Sequence, residues 1–170
     1  MKRKKRVSRP NMRFFLRDAR ARDVDLLVRH RREMWKDLGV REKPVLDEAD
    51  RAYGKWVTFG FKNGSLLGWI VETKEGVLAG SGCIWLRPAQ PRPNIKVQIQ
   101  PYLISIYTET AFRRNGVASR LVKEAIKWCS KNGYSRLALH ASRKGRGLYR
   151  KQGFTRSWEM RLELGRTIRH

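Results

Sequence analysis

Residues 113–118 have the sequence Arg-Arg-Asn-Gly-Val-Ala. It stands between an apolar run that ends at Tyr107 and a helical pattern that starts at Gly116. A turn with a small residue at a helix start leaves several backbone N–H groups unpaired and pointing the same way. These groups and the helix dipole suit a diphosphate. The stretch therefore predicts an anion site, where Gly116 lets the ligand approach the backbone and Arg113 and Arg114 add positive charge.

Strand and helix patterns precede this stretch. The first predicted helix has an inner face formed by Val24, Leu27, Val28, Arg31, Met34, Trp35 and Leu38. Four prolines among polar residues predict an irregular loop. The predicted elements, in order, are a strand at 13–17, the first helix, a second helix at about 47–59, strands forming a hairpin at 66–72 and 77–86, the irregular loop at 87–101, and a strand at 102–107.

The chain after the stretch continues with alternating elements. Val117, Leu121, Ala125 and Cys129 form the inner stripe of a helix at 116–132. The later patterns predict a strand at 137–140, a short helix at 145–152 and a half-buried strand at 158–164. No sequence repeat is present, so we expect one domain over residues 13–170.

Composition narrows the class of protein. A chain of 170 residues that is 41% hydrophobic and has 6 Trp is long enough and apolar enough to fold around one core. No apolar run approaches the length of a membrane span, and the basic start is followed by arginine rather than by an apolar secretory segment. Two cysteines, Cys83 and Cys129, predict core residues in a reducing compartment, so we expect a cytoplasmic protein without a membrane role.

The charge balance is strongly positive. Lys and Arg total 39 against 15 Asp and Glu, a net charge of +24. Six of these cations lie in the first nine residues, which predicts a basic disordered tail over residues 1–12. Such an excess favours a polyanionic partner, a nucleic acid among them.

A second motif lies near the C-terminus. Residues 147–154 have the sequence Gly-Leu-Tyr-Arg-Lys-Gln-Gly-Phe, on the predicted short helix and its following turn. With Arg113, Gly116 and Ala118 at the earlier helix start, this motif resembles the GNAT superfamily of acetyl-CoA-dependent N-acetyltransferases. Ile106-Tyr107-Thr108 and the opening Leu16-Arg17-Asp18-Ala19 match the same family, and the resemblance covers about 14–164. It implies an α/β (α+β) fold with a mixed, mostly antiparallel central sheet, splayed between strands 4 and 5 and flanked by helices.

The resemblance also implies which residues act. Tyr149 stands where the family has the general acid that protonates the leaving CoA thiolate, and a backbone N–H near Ile106 or Tyr107 would stabilise the oxyanion. Arg146 would meet the CoA phosphates. No metal is implied. The residues expected to bind acetyl-CoA are Ile106, Tyr107, Thr108, Arg113, Arg114, Asn115, Gly116, Val117, Ala118, Ser119, Ser142, Arg146 and Tyr149.

Two positions depart from the family pattern. Ser142 stands where many relatives have an asparagine that contacts the pantetheine arm. Residues 97–102 contain no glutamate to act as general base; Gln98 and Gln100 cannot take that role. The base would then be Glu109, His140, Tyr102 or a water chain, unless the free amine fraction suffices.

The leading hypothesis is direct acetyl transfer to a primary amine through a tetrahedral intermediate, because Cys83 and Cys129 both occupy predicted core positions. The alternative is a nucleic-acid-binding protein on the same scaffold with weak or lost catalysis. The acceptor stays open among a small amine, a protein amine and an aminoacyl-tRNA. A net charge of +24 would repel a polyamine, although nearby acids could override this locally. Those acids are Glu42, Asp47, Glu48 and Asp50. A homodimer is left open.

Overall fold

The computed structural model describes residues 12–91, 93 and 98–162. This part of the chain contains five strands and four α-helices in the order β1-α1-α2-β2-β3-β4-α3-β5-α4, with short 3-10 turns at Ala21–Asp23 and Thr110–Phe112. The strands are β1 Phe14–Asp18, β2 Leu66–Thr73, β3 Leu78–Pro88, β4 Ile99–Thr108 and β5 Ala138–Leu139. The helices are α1 Val24–Asp37, α2 Lys43–Lys62, α3 Val117–Lys131 and α4 Arg146–Lys151.

The strands form one sheet in the order β1-β2-β3-β4-β5. The first three pairings are antiparallel and the last, between β4 and β5, is parallel. That parallel pairing joins only Tyr102 to Ala138 and Leu103 to Leu139. Within the described chain, the rest of β4 therefore has no strand partner on this side. The prediction of a mixed, mostly antiparallel sheet that splays between strands 4 and 5 is confirmed.

Helices cover both faces of the sheet. On one face α1 and α2 bury Leu27, Tyr53 and Val57 against Cys83 of β3. On the other face α3 packs its apolar stripe against residues that include Ile84, the next residue of β3. Successive side chains of a strand point to opposite faces, so these adjacent residues belong to separate cores.

A bulge interrupts β4 where it faces Gly82. Cys83 pairs with Ile104 and Ser81 pairs with Tyr107, so two β4 residues, Ser105 and Ile106, lie opposite one residue of β3. Ser105 has a φ of +53°, a conformation that residues other than glycine rarely adopt. A bulge bends its strand and redirects the local backbone groups. It therefore turns this part of β4 at the point where β5 has already ended.

The predicted loop at 87–101 is shorter in the structure, and the prediction was wrong at both ends. β3 continues to Pro88 and β4 begins at Ile99, with Pro101 paired to Leu86. The Leu86 N–H donates to the Ser65 carbonyl, which lies away from β4, so Leu86 and Pro101 form a pair without mutual hydrogen bonds. The nitrogen of Pro101 consequently faces the side where pairing with β5 starts only at Tyr102. The missing N–H of Pro101 therefore removes no hydrogen bond between neighbouring strands.

The predicted strand at 158–164 is absent from residues 158–162, and its last two residues lie outside the described chain. Trp158 and Met160 are each 94% exposed and Leu162 is 81% exposed. The alternation of apolar and charged residues is real, but β5 is too short to offer an edge along which this segment could pair.

Other boundaries differ by a few residues. α2 begins at Lys43 rather than 47, because Pro44 occupies its first turn, where a missing N–H costs nothing. The strand predicted at 137–140 is reduced to Ala138–Leu139. The predicted tail lies outside the described residues except for Met12 and stays a prediction. No helix of the described chain is long and apolar enough to cross a membrane.

Substituting Gly80 with alanine should destabilise the fold. A Cβ at this position would lie 2.5 Å from the Tyr107 carbonyl oxygen and 2.8 Å from a methyl group of Val117, so β3 and β4 would have to move apart. We expect Gly80→Ala to lower the free energy of unfolding by about 1–3 kcal/mol in urea titrations. Gly147→Ala is the matched control, because a Cβ there meets open space on α4. Equal stability of the two variants would contradict the close packing of β4 on β3.

Candidate active site

The turn between β4 and α3 presents a set of unpaired donors. The first hydrogen bond that enters α3 is donated by Arg120 to the Gly116 carbonyl, so the N–H groups of residues 116–119 precede the helical ladder. Gly116 has a φ of +84° and open space where a Cβ would stand. The first turn of α3 has no acidic residue. This donor set and its positive dipole end fit a pyrophosphate group.

The two arginines of this turn have different surroundings. The Arg113 guanidinium forms an ion pair with Asp37 of α1, and its Nε donates to the Thr108 carbonyl at 3.2 Å. Arg113 thus fastens the turn to α1 and to the end of β4. Arg114, with a φ of +65°, is exposed to solvent. Of the two, Arg114 has the side chain that is free to approach an anion.

Tyr149 lies on α4, close to the start of α3. Gln152 donates to the Ser119 hydroxyl at 2.9 Å and so joins the two helices. The Tyr149 ring packs edge-on against Phe154, with ring centroids 5.8 Å apart. Burial raises the pKa of Tyr149 above its ordinary value. The phenol therefore stays protonated at neutral pH and can act as a proton donor.

Ser142 and Arg146 lie at the beginning of α4. The Ser142 hydroxyl accepts a hydrogen bond from the Gly145 N–H at 3.2 Å, and its carbonyl accepts from the N–H of Arg146 at 3.2 Å. Ser142 therefore closes the turn that starts α4. Arg146 is exposed, and within the described chain no carboxylate forms an ion pair with it.

The candidate bases are already in contact with charged side chains. Glu109 forms an ion pair with Arg29 at 2.8 Å and contacts His30 Nε2 at 3.1 Å. His140 is exposed and its Nδ1 accepts a hydrogen bond from Arg161 at 2.8 Å. The guanidinium carbon of Arg87 lies over the Tyr102 ring, 4.2 Å from the ring centre. None of the three presents a free carboxylate or imidazole beside the bulge of β4.

A buried histidine links three elements and was not selected by the sequence patterns. His30 of α1 is 1% exposed, and its Nδ1 lies 2.7 Å from the Ser81 hydroxyl on β3. Burial and the neighbouring Arg29 lower the pKa of His30, although Glu109 acts in the opposite direction. A neutral His30 thus fixes α1 against β3 and the end of β4. The signal was its position three residues after Leu27, on the apolar face of the helix.

An open cavity of about 720 Å³ lies between the helices α1 and α2 and the strands β3 and β4. Aromatic side chains line much of it: Trp35, Tyr53, Trp56, Trp85 and Tyr102. Ile104, next to the bulge, lines it as well. The cavity therefore reaches β4 beside the segment that β5 leaves unpaired.

The two cysteines are core residues, as predicted. Cys83 and Cys129 are both buried and unpaired. Burial raises the pKa of Cys83 to about 12 and that of Cys129 to about 11. Neither thiol ionises at neutral pH, so neither is available as an acyl-carrying nucleophile. No cluster of three metal-ligating side chains occurs within the described residues.

The profile described as "Acetyltransferase (GNAT) family" matches residues 25–154, which is most of the chain. The chain therefore belongs to the GNAT acetyltransferase family and is an acyltransferase. Comparison with curated proteins gave no match.

Solved structures agree with this membership. A GCN5-related N-acetyltransferase from Ralstonia eutropha JMP134 matches with a TM-score of 0.81 and 23% identity, over 89% of this chain and 99% of that one. A predicted acetyltransferase from Clostridium acetobutylicum, solved with acetyl-CoA, matches with a TM-score of 0.79 and 25% identity, over 90% and 96%. A ribosomal-protein-alanine N-acetyltransferase from Brucella melitensis biovar Abortus 2308 matches with a TM-score of 0.66 and 16% identity, over 89% and 98%.

These relationships support some expectations and not others. Binding of CoA fits both the family and the donors at the start of α3. The comparisons give no support to the alternative of a nucleic-acid-binding protein with lost catalysis. A cytoplasmic location, a homodimer and association with polyanions stay predictions.

The native protein should resist thiol reagents. Because both thiols are buried and protonated, Ellman's reagent at pH 8 should modify the folded chain far more slowly than the chain in guanidinium chloride, where both cysteines react. Incubation with acetyl-CoA without an acceptor should leave the mass of the denatured protein unchanged. A stable acetyl adduct on Cys83 or Cys129 would contradict direct transfer.

Proposed function

We propose that this protein transfers the acetyl group of acetyl-CoA directly to a primary amine. The observation that carries the proposal is the arrangement at the end of β4. There a free strand edge, a bulge and the unpaired donors of α3 follow one another along the chain. An extended pantetheine arm can pair with such an edge while its pyrophosphate meets the helix start.

The proposed binding residues follow from this placement. The N–H groups of residues 116–119 would hold the pyrophosphate, with Arg114 and Arg146 adding charge, while the Asn115 N–H donates to the Phe112 carbonyl at 3.4 Å. Ile106, Tyr107 and Thr108 would offer their backbone edge to the pantetheine arm, and the turn at Ser142 would border it. Arg113 would act by holding the turn in place through Asp37.

The residues proposed to act on the reacting atoms are few. A backbone N–H of Ile106 or Tyr107 at the bulge would donate to the thioester oxygen as negative charge develops there. The amine nitrogen forms a bond to the carbonyl carbon, giving a tetrahedral intermediate, and the carbon–sulfur bond then breaks. Tyr149 would give its proton to the departing sulfur, and the surplus proton of the amine would pass to water.

The partners of Glu109 and His140 shape the proposal for the base. Arg29 and His30 hold the Glu109 carboxylate, and Arg161 donates to His140. We therefore propose that neither side chain removes the amine proton directly. The amine would react in its neutral form, and water would accept the proton that it loses on transfer.

Gly116→Asp should abolish binding of acetyl-CoA. The substitution adds a negative charge and a side chain at the helix start, at a φ of +84° that disfavours any Cβ. Isothermal titration with acetyl-CoA would measure the loss. Gly133→Asp is the matched control, because Gly133 has a φ of +75° and the same open space at the other end of α3. If both folded variants bind acetyl-CoA as the wild type does, the pyrophosphate site lies elsewhere.

Tyr149→Phe should lower kcat by about 10²-fold and change KM for acetyl-CoA little, because the ring still packs on Phe154 and only the proton is lost. The defect should persist from pH 7 to pH 9, since burial raises the pKa of Tyr149 and keeps the wild-type phenol protonated there. Phe154→Leu is the control for packing. A wild-type rate for Tyr149→Phe across this range would make Tyr149 a structural residue.

A further inference from the structure

The cavity beside β4 is apolar and aromatic. Tyr53 stacks on Trp56 with ring centroids 5.8 Å apart, and Trp56 meets Trp85 edge-on at 5.6 Å. Val45, Leu46 and Ala49 continue the wall along α2. A ligand rich in hydroxyl or ammonium groups would lose its hydration here without gaining partners. The wall instead suits a large apolar side chain.

One cation stands in this apolar wall. Of the residues that line the cavity, Arg31 alone carries a charge. Its guanidinium carbon lies 4.4 Å from the centre of the Tyr53 ring and 5.4 Å from that of Trp35. The two rings hold the guanidinium in position without neutralising it.

Arg31 has no carboxylate partner within the described chain, unlike its neighbours on α1. Arg29 pairs with Glu109 at 2.8 Å, and Arg32 pairs with Asp47 at 2.8 Å and also with Asp50. Arg31 instead donates to the Ser105 hydroxyl at 3.0 Å. A guanidinium has five N–H donors, so most of those on Arg31 remain open to a ligand.

The polar groups around Arg31 are neutral at pH 7. Tyr53 donates its hydroxyl proton to Ser105 at 3.1 Å, and burial raises its pKa. Burial also raises the pKa of Cys83, to about 12. No protein anion among these groups compensates the charge of Arg31. A ligand carboxylate is the group that would pair with it.

Arg31 is joined to the bulge at which acetyl transfer would occur. Its partner Ser105 is the bulged residue with a φ of +53°, and Ile106, whose backbone would face the thioester, follows directly. A ligand anchored on Arg31 by an anion thus places its adjacent atoms at the bulge. In an α-amino acid the amine and the carboxylate are attached to the same carbon, which matches this short separation.

We infer that the acceptor is a free α-amino acid with a large apolar side chain. Its carboxylate binds Arg31, its side chain enters the aromatic cavity, and its amine receives the acetyl group at the bulge. This inference rests on the proposed function, since it names the acceptor of that same site. A nearby cation also favours the neutral form of an amine, which suits a site where the candidate bases Glu109 and His140 already have partners.

Other amines lack part of this match. A peptide N-terminus has an amide where the amino acid has its carboxylate, so Arg31 would gain no counter-ion. A polyamine has neither an anion nor a large apolar side chain, and Arg31 would repel its ammonium groups. These two classes serve as contrasting acceptors in the test.

The test compares acceptors that differ in one group. Purified full-length protein and acetyl-CoA are assayed for CoA release with L-tryptophan against tryptamine and L-phenylalanine against phenethylamine. Tryptophanamide represents a peptide N-terminus and spermidine a polyamine. We expect kcat/KM to be about 10- to 100-fold higher for each amino acid than for its decarboxylated partner. The decarboxylated amine lacks the carboxylate that would form a charged hydrogen bond with Arg31, and the loss of such a bond has an effect of about this size.

A variant assigns the preference to Arg31. Arg31→Met keeps the length and packing of the side chain, and should remove the preference while leaving the affinity for acetyl-CoA unchanged. Arg31→Lys should restore part of it. Lys36→Met is the matched control, because it removes one cation from the solvent side of the same helix, where Lys36 pairs with Glu33. It should leave the preference intact.

A binding measurement on the wild-type protein does not depend on whether the Arg31 variants fold. The wild-type protein should bind N-acetyl-L-tryptophan at least tenfold more tightly than N-acetyltryptamine by isothermal titration. Equal use of amino acids and their decarboxylated partners, a preference for tryptophanamide or spermidine, or acetylation of none of these amines would overturn the inference. Failure of the wild-type protein to bind acetyl-CoA would instead overturn the proposed function.

Discussion

The site depends on the early end of β5. β5 pairs with β4 at only Tyr102 and Leu103. Within the described chain, the rest of β4 therefore has one edge without a strand partner. Backbone donors and acceptors that a sheet would otherwise satisfy must then find another partner. The bulge opposite Gly82 turns the strand at this point, and the donors at the start of α3 follow a few residues later. The early end of β5 therefore produces both the open edge of the sheet and the proposed binding site.

The two faces of the sheet have different proposed roles, one in binding acetyl-CoA and the other in binding the acceptor. α3 and α4 lie on one face, where Gln152 and Ser119 join the helix that carries Tyr149 to the helix start that suits a pyrophosphate. α1 and α2 lie on the other face, where they enclose the aromatic cavity with β3 and β4. Ser105 belongs to both regions, because its hydroxyl meets Arg31 and Tyr53 while its backbone forms the bulge.

Net charge and local charge are separate properties of this chain. The sequence has a net charge of +24, yet the arginines of α1 differ sharply in their surroundings. Arg29 and Arg32 have carboxylate partners, so they contribute to packing between elements. Asp47 and Asp50, which could have attracted a cationic acceptor, are held by Arg32 outside the cavity. Arg31 faces the cavity with its charge uncompensated by the described chain, so local pairing decides what the site attracts.

Local sequence patterns predicted the order of the elements from β1 to α4, the turn at Gly116 that starts α3, the two core cysteines and the family, because periodicity, turn residues and helix starts are local properties. It also placed Arg31 on the inner face of α1, whereas the buried position of His30 emerged only from the structure. Which of these groups are free depends on long-range contacts. Glu109 pairs with Arg29 and His30 and Arg113 pairs with Asp37, all on α1 and 76 to 80 residues away along the chain, and no local pattern encodes such pairs. The same holds for residues 158–162, whose alternation predicts a strand, because a strand forms only where a neighbouring edge is available.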